Sequence, residues 1–391
     1  MHVTIKNIIE SPLFYNVEIL AGNNGLSRPV KRVNVADVKI HENNDNEALF
    51  PEGDLFMSCF EQFEAGDPAD VEEYFQALIK YRCSGLLLVE ERNKCLITPK
   101  IAEMCNQANF PVLCLQQDIS YAEIISIVNR FILIEDLNLL RANEFRRIMT
   151  ENLTEQETME ILDGFSSSIE RYLRVICFIG KPISNMLHSD FHVDSINAPA
   201  EIFIEADGYN YYIVSSSSPE RLGPRTKVIK QMISRCYHVD HIAVSHIYEK
   251  WNIKKATNNA KTDCRIAYIM GKKENSVQSL SSYPMLLSLE SSYEAKAFYE
   301  EYLDIIAKNT SEKHMQDLLE TVRAYVLCCG NYKETANVLH QHENTIRYRI
   351  NSLRGWLEMD EDPIQFNEII SLAVKLEQIN TSKRTGYPSK K

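Results

Sequence analysis

The sequence predicts three folded units in succession: an α/β domain over residues 1–120, a second α/β domain with a helical linker over 151–310 and an all-α domain over 311–380. Three observations carry this expectation. Short apolar runs alternate with amphipathic stretches through the first part of the chain, the pattern of βαβ units. A hairpin signal and a further strand–helix alternation follow in the middle. Near the C-terminus, two short helical patterns are joined by a tight turn. A stretch over 121–150 reads as a connecting helix, and 381–391 as a disordered tail.

In the first unit the candidate strands are Val17–Leu20, Val33–Val35, Leu55–Ser58, Leu86–Val89 and Val112–Leu115, with crossover helices over Val71–Tyr81 and Ile101–Ala108. The alternation implies a sheet with a parallel component. The loop Ala21–Val30 is rich in turn residues but lacks dinucleotide or phosphate-loop spacing. Arg28 and Arg32 beside it are candidates to hold an anionic ligand, although exposed arginines are usually only solvated.

From Tyr121 to Met149 the chain reads as one long helix. Ile124, Ile127, Phe131, Ile134, Phe145 and Ile148 follow a three–four series, interrupted at Asn138 and Arg141. Polar residues in such a seam can set register between paired helices. The helix is therefore expected to join two copies of the chain, the alternative being packing on its own domain.

In the second unit Arg174–Ile179 reads as a buried strand, and Ile202–Val214 as a hairpin turning at Asp207-Gly208. A helix over Thr226–Tyr237, a strand over Ile242–Ser245 and a helix over Ile253–Met270 complete it. Histidines gather at His188, His192, His238, His241 and His246. His188 and His192 have the i, i+4 spacing of a metal pair. Loop-forming neighbours and the lack of an intervening Glu make solvated histidines the expected reading, with no metal and no cofactor. No nucleophile motif is present, so no catalytic residue is expected.

The segment with the most chemistry runs from Gly330 to Ile350. Asn331 is a suitable N-cap, and Glu334 completes a capping-box pattern. Small Ala336 and apolar Leu339 face inward on the first helix. After the turn His340–His342, the second helix buries Ile346, Ile350, Leu353 and Leu357. Its other faces offer His342, Glu343, Asn344, Thr345, Arg347, Tyr348, Arg349 and Asn351. Arginine forks can read guanine, asparagine can pair with adenine, and hydroxyls and cations can hold phosphate. These are the groups a helix needs in the major groove of double-stranded DNA, and the alternative is a three-helix protein-interaction module.

Composition narrows the partners. The net charge of the 391 residues is −12, which argues against a general nucleic-acid coat. Lys+Arg against Asp+Glu stand at 11 to 19 over 1–130, 20 to 24 over 131–310 and 11 to 11 over 311–391. The C-terminal unit is the least acidic, which suits specific rather than indiscriminate DNA binding. Ten scattered cysteines without a Cys-x-x-Cys pair fit reduced thiols in a cytoplasm. No apolar run reaches the length of a membrane span, and the N-terminal residues have no signal-peptide pattern.

The run Gly330-Asn331, Thr335-Ala336, then Leu339-His340-Gln341-His342-Glu343-Asn344-Thr345-Ile346-Arg347-Tyr348-Arg349 resembles the C-terminal helix-turn-helix of the purine-catabolism regulator (PucR) family, shared with sugar-diacid regulators. The likeness extends upstream through Asp317–Tyr325 and downstream to Asp360–Pro363. Glu343 departs from it, since that position is usually basic or Pro, and Leu357-Glu358 stand where the family tends to have Gly. The Ala21–Val30 loop with Pro51–Ser58 resembles the family's N-terminal sensor domain, which implies a small-metabolite effector. The central order of elements resembles a degenerate cyclase-like (GGDEF-related) domain, although no Gly-Gly pair occurs in the chain. The resemblance implies a cytoplasmic, metabolite-responsive transcription regulator of a catabolic or nitrogen- and purine-related pathway, expected as a homodimer or higher homo-oligomer. The rival expectation is a nucleotide second-messenger enzyme or nucleotide-binding sensor built on the central unit.

Overall fold

The computed structural model describes residues 3–10, 14, 16–35, 49–63, 68–89, 91–116, 119–183, 191, 198, 200–274 and 281–384. Among them, strands β1 (Val17–Ala21), β2 (Arg32–Val35), β3 (Asp54–Ser58), β4 (Gly85–Leu88) and β5 (Val112–Leu115) form one sheet in the order β1-β5-β4-β3-β2. The pairs from β2 to β5 are parallel, and β1 runs antiparallel at the edge. Parallel strands covered on both faces read as unbroken apolar runs, and Leu86-Leu87-Leu88 is such a run.

Alternate residues serve the two faces. Phe56, Leu86, Leu88, Val112 and Cys114 pack against helices α2 (Pro68–Lys80) and α3 (Pro99–Gln107) through Tyr74, Phe75, Ile101 and Cys105. Leu55, Met57, Leu87, Leu113 and Leu115 pack against α1 (Ile5–Ile9) and against Ile124 and Val128 of α4 (Tyr121–Thr150). Gly22 adopts φ +68, and a Cβ there would stand 2.0 Å from the Phe110 carbonyl oxygen. Only glycine fits that approach.

Helix α4 is capped by Ser120, whose hydroxyl accepts from the Glu123 amide. It belongs to two cores. Ile124 and Val128 are buried in the first domain, whereas Ala142, Phe145 and Ile148 are buried in the second. This corrects the reading of the three–four series as one seam between copies: Ile124, Phe145 and Ile148 are used within the chain. Ile127 and Phe131 are half-buried, Asn138 is buried, and Leu133 and Leu140 are more than 60% exposed.

The second sheet is built on β6 (Tyr172–Pro182). It pairs antiparallel with β8 (Tyr209–Ser216), β9 (Tyr237–Val244) and β10 (Tyr248–Glu249), while β7 (Glu201–Ala206) pairs with β8. Asp207 and Gly208 have φ of +53 and +80, the geometry of a tight hairpin turn. One face packs on the end of α4, on α5 (Glu155–Phe165) and on α7 (Ile253–Ile269). The other packs on α6 (Pro219–Cys236) through Leu222, Ile229 and Ile233. Helix α6 begins seven residues before the predicted Thr226, because Pro219 suits a first turn, where no amide partner is required.

Helices α8 (Tyr283–Leu289), α9 (Tyr293–Asn309), α10 (Glu312–Leu327), α11 (Tyr332–Val338), α12 (Glu343–Trp356) and α13 (Pro363–Arg384) complete the chain. Helix α9, which falls in the helical linker expected at the end of the central unit, buries Tyr302 and Ile306 in the core of the C-terminal helices. Helix α13 is apolar on two sides. Phe366, Ile370 and Val374 enter the C-terminal core, while Leu376 and Ile379 meet Ile266 of α7 and Tyr283 and Leu286 of α8. It runs to Arg384, past the predicted start of a disordered tail, and 385–391 lie outside the described residues.

Candidate nucleic-acid interface

The motif is assembled from two backbone reversals. Cys329 at φ +52 and Gly330 at φ +81 turn the chain after α10, and His340 at φ +53 turns it between α11 and α12. Asn331 caps α11, its side-chain oxygen accepting from the amides of Lys333 and Glu334 at 3.0 and 3.2 Å. The reciprocal half of the expected capping box differs, since the Asn331 amide donates to the Cys328 carbonyl oxygen at 3.0 Å. His342 caps α12, its Nδ1 accepting from the Asn344 amide at 3.1 Å. Glu343 in that first turn suits the positive end of the helix dipole.

Ile346, Ile350 and Leu353 are fully buried on one side of α12, against Val322 and Tyr325 of α10, Ala336 of α11 and Phe366 of α13. At about 100° per residue, the opposite side carries Asn344, Tyr348 and Asn351, all exposed. Thr345 is exposed beside them. Tyr348 is 74% exposed, unusual for an aromatic residue in a packed domain.

The two arginines lie on the flanks. The Arg347 guanidinium donates to Glu343 Oε1 at 3.0 and 2.6 Å, and its other side lies 4.5 Å from the centre of the Tyr332 ring. Tyr332 in turn packs against Tyr325 at 5.1 Å. Burial, followed by the hydrogen bond with Tyr332, pushes the Tyr325 hydroxyl up to about 12. Arg349 turns inward: it donates to the Asp317 carbonyl oxygen at 3.4 Å, to Asp317 Oδ2 at 3.1 Å, to Thr321 Oγ1 at 2.9 Å and to Gln341 Oε1 at 3.1 Å. The sequence reading placed Arg349 on the outer face. The structure makes it a tie between α12 and α10, because three residues of separation from Ile346 and one from Ile350 bring it round to the side nearest α10. Tyr332 and Asp317 were not singled out from sequence as partners of these arginines. The i, i+4 spacing of Glu343 and Arg347 was the one local signal.

The candidate anion-binding arginines are also engaged. Arg28 donates to the carbonyl oxygens of Cys83 and Ala108 at 2.8 and 3.1 Å and lies over the Phe110 ring. It thereby closes the chain just after α2 and α3. Arg32 pairs with buried Asp54 at 3.1 Å. His188 and His192 lie outside the described residues. His241 Nδ1 is 2.8 Å from the Lys272 carbonyl oxygen. Among the described residues no group of three His, Cys, Asp or Glu could hold a metal, and no helix is long and apolar enough to cross a membrane.

Residues 7–132 match the purine catabolism regulatory protein-like family, and residues 318–377 match the PucR C-terminal helix-turn-helix domain. No curated protein matches the chain. Among solved structures, a regulator of polyketide synthase expression from Bifidobacterium adolescentis is 13% identical, covering 62% of this chain and 99% of its own, with a TM-score of 0.28. A superposition that loose carries no argument. The helix-turn-helix built around Ile346, Ile350 and Leu353 thus coincides with one matched domain and the parallel sheet with the other, and the chain carries both an N-terminal and a DNA-binding domain of PucR-type transcription regulators.

Proposed function

We propose that the protein is a metabolite-responsive, sequence-specific regulator that acts in the cytoplasm as a homodimer, on a catabolic or nitrogen- and purine-related pathway. The observation that carries this reading is α12: a helix anchored by three buried aliphatic residues and presenting amides, a hydroxyl and a phenol to solvent. Asn344, Thr345, Tyr348 and Asn351 face the bases, while His342, Glu343 and Arg347 border the phosphates at the helix start and flank. The N-terminal sheet takes the effector, and the central domain, a degenerate GGDEF-like unit in this reading, relays the signal. Binding of effector shifts the population toward one spacing of the two DNA-binding heads.

Pairing is supported by the exposed apolar residues of α4. Leu133 and Leu140 stand out from the helix, and Leu137, Leu140, Ile161 and Phe165 line an open groove of about 650 Å³ between α4 and α5. A single module buries roughly 600–1,000 Å² on DNA, so tight specificity requires two. The test has three parts. Genome-wide mapping of bound DNA identifies the operator and, from the neighbouring genes, the pathway. Gel shifts on that operator with and without the pathway's metabolites report the effector. Sedimentation of Leu140→Glu reads the dimer: a monomer that binds the operator weakly supports the pairing surface, and an intact dimer removes it. Turnover of nucleotides by the purified protein would replace this reading with the enzymatic one.

A further inference from the structure

The two arginines that make the motif look like a guanine reader are both occupied by protein partners, and neither lies at the centre of the outward face. Arg349 has its donors on Asp317, Thr321 and Gln341. Arg347 is held between the Glu343 carboxylate and the Tyr332 ring. What stands half a turn from the buried Ile346, Ile350 and Leu353 is Asn344, Tyr348 and Asn351, at i, i+4 and i+7. Recognition helices lying in the major groove use residues at this spacing to reach base edges.

We infer that base recognition rests on Asn344 and Asn351, each pairing with an adenine, and that the arginines only position the helix. This inference rests on the DNA-binding reading above. An asparagine amide matches the N6 donor and N7 acceptor of adenine in a bidentate pair. Seven residues of helix span about 10 Å, and base pairs rise about 3.4 Å each. The two asparagines therefore meet A·T pairs about three steps apart when the helix follows the groove. Tyr348 lies between them, and its ring is placed to lie against a thymine methyl group. Arg347 is different in kind. A half-exposed guanidinium shared with one carboxylate is free to exchange that carboxylate for a phosphate at little net cost. Its contribution is then uniform across sequences.

The experiment is a selection from random DNA duplexes with the full-length protein, repeated with Asn344→Ala, Asn351→Ala and Arg347→Ala. Wild type is expected to enrich a motif with two A·T pairs about three steps apart. Each asparagine variant should flatten one of the two positions, with a loss of about ten-fold or more on the selected site. Arg347→Ala should weaken every duplex alike and leave the motif unchanged. Far-ultraviolet circular dichroism on each variant confirms that the fold is kept, and the near-isosteric Asn344→Asp and Asn351→Asp, which lack the amide donor an adenine pair needs, serve in place of any variant that unfolds. A wild-type motif unaltered in both asparagine variants overturns the inference, as does loss of a G·C position in Arg347→Ala. Absence of any enriched motif for wild type removes the sequence-specific DNA-binding reading itself, a result distinct from the other two.

Discussion

Asp317 and Arg349 form an ion pair 3.1 Å apart that fastens the helix before the motif to the helix facing solvent. Arg349 is only 20% exposed, and the other bonds of its guanidinium end on Thr321 and Gln341. Hydrogen bonds to charged groups contribute about 1.5–3 kcal/mol each when their partners cannot turn to water, and here Asp317 can, being half-exposed. Arg349→Ala is therefore expected to destabilise the protein by about 1–3 kcal/mol. Urea unfolding followed by circular dichroism measures this. An unchanged midpoint would mean that the tie contributes nothing in solution.

In the proposed DNA complex, Glu343 sets how strongly the protein holds a duplex of any sequence. Removing its charge in Glu343→Gln leaves Arg347 without its carboxylate and removes a negative charge from the phosphate-facing edge. Affinity for random duplexes should rise, while the log–log dependence of binding on salt should stay near that of wild type, because Arg347 meets its phosphate in both proteins, and Arg347→Ala should flatten it by about one contact, near 0.9 in slope. Titrations at several salt concentrations read this. A slope in Arg347→Ala equal to wild type would place Arg347 away from the phosphates.

The cap of the first motif helix separates two residues that look alike in sequence. Asn331→Ala should cost about 1 kcal/mol, because its side chain accepts from two otherwise unpaired amides. Glu334→Ala should cost distinctly less, since the amide it was expected to serve already donates to Cys328. Thermal melts of the two variants settle the order, and equal losses would restore the full capping box.

The contrast between those two residues shows what the sequence could carry. Asn331 acts on amides two and three residues away, so its role is written locally. The parallel strands were legible for a related reason: only a strand covered on both faces tolerates a run such as Leu86-Leu87-Leu88. Arg349 was not legible, because its partner Asp317 is 32 residues distant and only the packed helices bring the two together. The seam on α4 was misread on similar grounds. Periodicity marks Ile124 and Phe145 as one stripe but does not say that different domains receive its two ends.

Gly22 tests the closest backbone approach in the first domain. Gly22→Ala places a methyl group against the Phe110 carbonyl oxygen and forces an unfavourable φ. Backbone strain alone costs about 1–3 kcal/mol, and the overlap adds to it. The expected outcome is loss of the folded N-terminal domain at ordinary temperature, read by limited proteolysis. Wild-type resistance would show that the β1 loop can move aside.

Alkaline pH should weaken the first domain. Burial pushes the thiols of Cys83 and Cys105 up from about 9 to about 12. The folded state therefore keeps protons that the unfolded chain releases. The corresponding stability is complete below pH 9 and is lost as pH rises from 9 toward 12. Urea midpoints should fall across that window, and Cys83→Ala with Cys105→Ala should show a shallower fall from a lower starting point. At pH 8, alkylation should modify exposed Cys95 and Cys329 and spare the two buried thiols.

Because one unbroken helix is embedded at each end in a different domain, the azimuth of the first domain about the second is fixed by residue count. Each residue added between Val128 and Ala142 would rotate one domain against the other by about 100° and separate them by about 1.5 Å. A single insertion would thus swing the first domain to a different side of the second. An insertion of seven residues, close to two whole turns, would restore the bearing at a greater distance. The helix works as an angular gauge, in which the number of residues matters as well as their kind.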